Sequence, residues 1–287
     1  MMRSPSLLEV LGLVSAIGAA PLAPAGADEQ SRERLIEEAL TLSGARAQIA
    51  QIESQAQSGL QEHQERLGPE MHSAIRRLVT EQVRAEVVTS AVTRRIHEDF
   101  DAARMAGALA WLRSPLSKKI TRLETQASRP EAALQIERFV ARLRSQRPAA
   151  RRLELIRRLD DAARATESSL DLVIAVVRSL AAAIDPALPP EKRLRPGELE
   201  SLERRMRSEG RGQIQQAVAF RMLFTYQSLP DAELARYAEF WESDAGRWFG
   251  DTLGRALIHS IGVAMREVGE EIARRLPAGA PATSGPR

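Results

Sequence analysis

No cysteine occurs in the 287 residues. Its absence excludes a disulfide framework, a thiolate metal site, a cysteine nucleophile and a lipid anchor carried on a cysteine behind a leader. Aromatic residues are also scarce, at 4%, while hydrophobic residues reach 44%. An alanine- and leucine-rich chain of this kind favours close-packed helices over sheets, whose pleated faces draw on β-branched and aromatic side chains. Only four histidines are present, His63, His72, His97 and His259, and no two have metal-ligand spacing on a helix. There is no Glu-x-x-His pair for a di-iron bundle and no His-Glu-x-x-His for zinc. A glycine-rich phosphate loop and a Gly-x-Ser-x-Gly elbow are missing too. His97-Glu98-x-x-Asp101 does gather an imidazole and carboxylates at a helix junction, where Asp99 or Asp101 is equally explained as a cap of the next helix. These absences lead to an expectation of no catalytic residues, no cofactor and no metal.

Charge is plentiful but balanced. Lysine and arginine number 41 and aspartate and glutamate 38, a net charge of +3, so nothing demands a nucleic acid partner. Arginine pairs at Arg76-Arg77, Arg94-Arg95, Arg151-Arg152, Arg157-Arg158 and Arg204-Arg205 are compatible with an anionic partner, either lipid head groups in peripheral membrane contact or a polyanion. The interspersed glutamates favour plain solvated helix faces, as do the four-apart pairs Glu154 with Arg158, Glu200 with Arg204, Glu203 with Arg207 and Glu271 with Arg275.

At the N-terminus, Arg3, an apolar run from Leu7 to Ala20 and Ala25-Gly26-Ala27 read as a secretory leader over residues 1–27, cleaved after Ala27. The run is too short for a good membrane span. The protein is therefore expected in the periplasm or outside the cell. At the other end, 277–287 is Pro, Ala, Gly and Ser and is expected to be a disordered tail.

Between these ends the apolar period is helical throughout. It predicts helices over Glu29 to Leu67, bent at Ser43-Gly44, over Glu70 to Asp99, over Asp101 to Arg113, over Ser114 to Ser128 and over Pro130 to Ser145. Arg147-Pro148 is the natural boundary between a first unit, 28–147, and a second, 148–276. The second unit begins with Leu155-Ile156-Arg157-Arg158-Leu159, aligned on Leu35-Ile36-Glu37-Glu38-Ala39 at an offset of 120 residues. Further on, Phe240-Trp241-Glu242-Ser243-Asp244-Ala245-Gly246-Arg247-Trp248-Phe249 follows Trp111-Leu112-Arg113-Ser114-Pro115-Leu116-Ser117-Lys118-Lys119-Ile120 at an offset of 129. The proline-rich stretch Asp185 to Gly197 accounts for the difference. The fold class expected is all-α, as two tandem related helical bundles or one elongated bundle made by duplication.

Each twin motif reads as a helix entrance. Ser114 and Ser243 are placed to cap, Pro115 sits at the first helical position, Asp244 puts charge against the positive helix end, and Gly246 permits a close crossing. The paired bulky residues, the Ser-Pro-x-Gly order and the opening Leu-Ile-Glu-Glu-x-Leu-x-Leu-Ser-Gly over Leu35 to Gly44 together resemble a bacterial family of exported helical proteins catalogued as domain of unknown function twenty fifty-nine. The first copy has Ser117 for the glycine and the second has Asp244 for the proline. The resemblance implies an exported helical protein and no particular activity.

Eight of the eleven aromatics lie between Phe220 and Phe249. Helical spacing puts Tyr237, Trp241 and Trp248 on one stripe, which serves as core or else as a groove for a partner helix or a lipid tail. Motif residues Trp111, Ser114, Pro115, Phe240, Ser243 and Gly246 join that stripe as the candidate site. The function expected is that of a non-enzymatic exported module of the cell envelope that binds an unidentified protein or itself. The alternative is a carrier or sensor of an apolar ligand held between helices of the second unit.

Overall fold

The computed structural model describes residues 25–51, 84–143 and 145–275, with 73, 76, 77 and 81 described singly. Residues 1–24 of the expected leader, the far part of the first predicted helix with His63, most of the early part of the second with His72, and the expected tail 277–287 lie outside them. The described residues are all-α. Helix α1 spans Ala25–Leu42 and continues, after a break, over 45–51. Then come α2 (Ala85–Glu98), α3 (Ala102–Leu112), α4 (Pro115–Ala127), α5 (Ala132–Leu143), α6 (Ala150–Ala163) and α7 (Ala165–Ile184). Two short 3-10 turns carry the proline-rich stretch. Beyond it, α8 (Glu198–Arg205) runs through a π turn, Met206–Gly210, into α9 (Arg211–Thr225), before α10 (Asp231–Glu242) and α11 (Asp244–Arg275).

Local chemistry sets the breaks. At Ser43-Gly44 the helix bends more sharply than a kink, because Gly44 has φ +75°, a region open to glycine. Residue 164 repeats the feature with Arg164 at φ 53° between α6 and α7. Asp101 caps α3 by accepting from the Arg104 amide at 2.9 Å, while buried Asp160 accepts from both the amide and hydroxyl of Thr166 at 2.8 and 2.6 Å and so starts α7. The predicted helix from Glu70 to Asp99 is interrupted at Arg84, whose ψ of 138° leaves the helical region. Apolar periodicity continues across that residue, so the interruption left no mark in the pattern.

Two hydrophobic cores result, and neither belongs to one half alone. The first gathers Ile36, Leu40, Val92, Ile96, Met105 and Leu109 from α1 to α3, and is completed by Phe249 and Ala256 of α11. Ile156, Leu159, Leu223, Leu234 and Phe240 from α6, α9 and α10 form the second, completed by Ile120 of α4. The helix behind each serine therefore docks into the opposite core, and neither half is a self-contained bundle. Side by side and in the same direction, α7 and α11 approach closely. A Cβ placed on Gly262 would stand 3.3 Å from Ser179 Oγ, and one on Gly269 would stand 2.6 Å from the Ala183 Cβ.

Because the cores interlock, the described helices should unfold together. Leu234→Ala, at a fully buried position, is expected to remove about 2–5 kcal/mol in a single denaturant transition, with far-ultraviolet dichroism and tryptophan emission coinciding. Separate transitions would show the halves to be independent.

Candidate functional site

The two motifs meet. Trp111 stacks on Phe240 with centroids 5.0 Å apart and planes 8° apart, and on Tyr237 at 6.2 Å and 7°. Tyr237 and Phe240 in turn meet Trp241 at 6.0 and 5.1 Å. Tyr237 and Phe240 are buried, and Trp111 and Trp241 pack against both cores. Trp248 lies apart from this stack, against the first core. Ser243 ends α10, so the helical register that put Trp248 in line with Tyr237 and Trp241 does not continue into α11.

Each motif serine begins its helix as anticipated. Ser114, at φ −65° and ψ 151°, accepts from the Ser117 amide at 3.1 Å, with Pro115 at the first helical position. Ser243, at φ −71° and ψ 159°, accepts from the Gly246 amide at 3.0 Å. Gly246 is required for space, since a Cβ there would collide with the Phe240 carbonyl oxygen and lie 3.1 Å from Trp241 Cα. Each motif also ties one half to the other, as Arg104 bonds Asp244 at 2.9 Å and Lys119 bonds Glu233 at 2.6 Å.

Beside the stack is a polar cluster that periodicity did not flag. The hydroxyls of Tyr226 and Tyr237 both donate to Glu124 Oε1, at 2.6 and 2.7 Å. Burial pushes the Glu124 carboxyl above the usual carboxylate range, against the opposing effect of those two hydrogen bonds. The same burial, with the Glu124 charge added, lifts both phenols well above their ordinary value. The signal available in the sequence was a glutamate on the inward face of α4, four residues past Ile120. Arg152 Nη1 donates to the Leu229 carbonyl at 2.9 Å and to Asp231 at 2.8 Å, and its Nη2 bonds the Tyr226 carbonyl, fixing the loop that delivers Tyr226. The indole Nε1 of Trp241 is buried without a hydrogen-bond partner, as are His97 Nε2 and Thr93 Oγ1.

An open groove of about 750 Å³ runs along α6 and α11 past Trp241. Its walls carry Arg157, Arg158, Arg164, Arg247 and Arg255 together with Glu154, Asp161, Asp171, Glu242 and Asp251, and Gly246, Gly250 and Gly254 line α11. Most of these charges are tied down: Arg158 forks onto Glu242 at 2.7 and 2.6 Å, Arg157 reaches Asp161 at 3.1 Å, and Arg164 approaches Asp251 at 3.6 Å. In the first half, Thr121 and Thr125 stand 129 positions before Gly250 and Gly254 and fill the space beside Gly44. Thr121 donates to the Leu42 carbonyl at 3.0 Å and its methyl lies against Gly44. Nothing stands within 4 Å of a Cβ built on Gly254, whereas one on Gly250 would lie 2.8 Å from Trp241 Cζ3. The anticipated four-apart ion pairs fare unevenly. Glu271 does bond Arg275, at 2.7 Å, but Arg158 prefers Glu242, Glu203 pairs with Arg178, and Arg207 takes Asp171 at 2.7 Å. At Arg158 and Arg207, carboxylates on neighbouring helices out-compete those four residues away.

Among the described residues no three His, Asp or Glu side chains are grouped to hold a metal, and no helix is long and apolar enough to cross a membrane. The fold is thus an interlocked all-α assembly with a charged groove on one flank. Comparison of the chain with protein-family models, curated proteins and solved structures finds no match.

Two outcomes follow from this geometry. Gly246→Ala should cost about 3 kcal/mol by overpacking, while Gly254→Ala, with open space and better helix propensity, should gain roughly 0.5–1 kcal/mol; chemical denaturation of both variants measures the contrast. For Glu124, a folded-state value raised above the 4.5 of the free group means that its stabilising share is complete below pH 4.5 and is lost as the pH rises through the folded value. Glu124→Gln is expected to flatten the difference in denaturant midpoint between pH 4.5 and pH 7.5 relative to wild type, and an unchanged difference would show that the carboxyl titrates normally.

Proposed function

We propose that the protein is a non-catalytic binding module of the cell envelope, which engages a polypeptide of mixed charge in the groove between α6 and α11. The observation that carries this reading is the groove's lining. Five arginines and five carboxylates surround it, a pattern suited to a partner that offers both signs of charge and poorly suited to a lipid tail. Of the aromatic stripe, Tyr237 is buried and stacked on Trp111, while Trp241 borders a groove whose other walls are largely charged. That arrangement favours protein binding over the carriage of an apolar ligand. Export rests on Arg3, the run Leu7 to Ala20 and Ala25-Gly26-Ala27, and the family resemblance rests on the Leu35 to Gly44 opening and the twin motifs around Ser114 and Ser243.

A photo-crosslinking residue at Gly254, where space is open, is expected to capture a discrete envelope protein in intact cells, whereas the same residue at exposed Leu134, on α5, is not. Thermal shift with fatty acids and detergents is expected to leave the melting temperature unchanged. Stabilisation by fatty acids, with no adduct at residue 254, would replace this reading with the carrier.

A further inference from the structure

Two bidentate ion pairs occupy corresponding places in the halves, with their signs exchanged. In the first half, Arg113 forks onto Glu38 at 2.8 and 2.7 Å, joining the residue before Ser114 to α1. Arg158 forks onto Glu242 in the second, joining α6 to the residue before Ser243. Glu38 and Arg158 are 120 positions apart, and Arg113 and Glu242 are 129 apart, the two offsets that align the first helices and the motifs. The surroundings correspond as well. Ile36 and Ile156, and Ala39 and Leu159, are buried in their cores at the first offset, and Met105 and Leu234, and Ile120 and Phe249, at the second. Gly44 and Arg164, 120 apart, both have positive φ.

We propose that the chain is a tandem duplication in which the exchanged polarity is a pairing code, steering each opening helix to the motif helix of its own half. Corresponding positions in the two halves are apolar and buried alike, so burial alone discriminates poorly between α1 docking on α3 and α1 docking on α10. With the signs as they stand, the wrong choice sets Glu38 against Glu242 and leaves Arg158 facing Arg113. Both clamps are solvent-exposed, with side-chain exposures of 54% and 38% in one and 37% and 41% in the other. Exposed pairs add little to the stability of the native state, whereas like charges forced together penalise the alternative. Selection, rather than strength, is what these residues contribute.

The test uses the full chain and three variants. Glu38→Arg with Arg113→Glu gives both halves the polarity of the second; Arg158→Glu with Glu242→Arg gives both the polarity of the first; the quadruple variant reverses both and restores the opposition. Each double variant is expected to keep the wild-type denaturation midpoint yet refold with a roughly three- to tenfold lower native monomer yield, the shortfall appearing on size exclusion as exchanged dimers. The quadruple variant is expected to recover the wild-type yield. Double variants that refold like wild type would overturn the code, and so would a quadruple variant as impaired as the doubles.

Discussion

The contact between Trp111 and Phe240 is the constraint to which the remaining packing is fitted. Each ring stands three residues before a capping serine, so the position of the stack also sets where α4 and α11 begin. Since α4 completes one core and α11 the other, a single aromatic contact decides whether both cores can close. Gly246 belongs to the same constraint: α11 can leave the end of α10 at this angle only because nothing projects toward the Phe240 carbonyl. In the first motif buried Ser117 stands 129 positions before Gly246, so the tighter crossing is a property of the second half.

Differences between the halves matter as much as their likeness. Where the first has threonines packed on Gly44, the second has glycines and Arg164, and a crevice becomes a groove. Glu124, with Leu253 at the position 129 residues further on, reaches across to two tyrosines of the other half. An apolar seam between the halves would tolerate some sliding. A carboxyl held by two phenols fixes the register, at the expense of burying a group that prefers water.

Much of this was legible in the chain. All-α class, the capping roles of Ser114 and Ser243, a cap at either Asp99 or Asp101, the bend at Gly44 and the close crossing at Gly246 follow from local rules that act within a few residues. The contacts between distant segments were harder. That Trp111 meets Phe240, that Arg158 forsakes Glu154 for Glu242, and that Glu124 faces two tyrosines all depend on which helix lies beside which, and periodicity within one helix carries no such information. The expected stripe through Trp248 failed for a related reason, because it counted helical turns across a residue that ends one helix and begins another. The break at Arg84 was hidden because an apolar repeat can persist where the backbone does not.

Helix α11 has 32 residues, and at 1.5 Å per residue it is a rod of roughly 48 Å. At its start the direction is set by the cap at Ser243 and the crossing at Gly246. A tilt of about 10° there would swing the far tip by roughly 8 Å, were α7 not laid along it as a splint. Gly269 brings that splint into backbone-level contact, 3.4 Å separating the Leu180 carbonyl oxygen from where a Cβ would stand, so the shape of the molecule's far end is governed by how faithfully a short hinge angle is copied down a long lever.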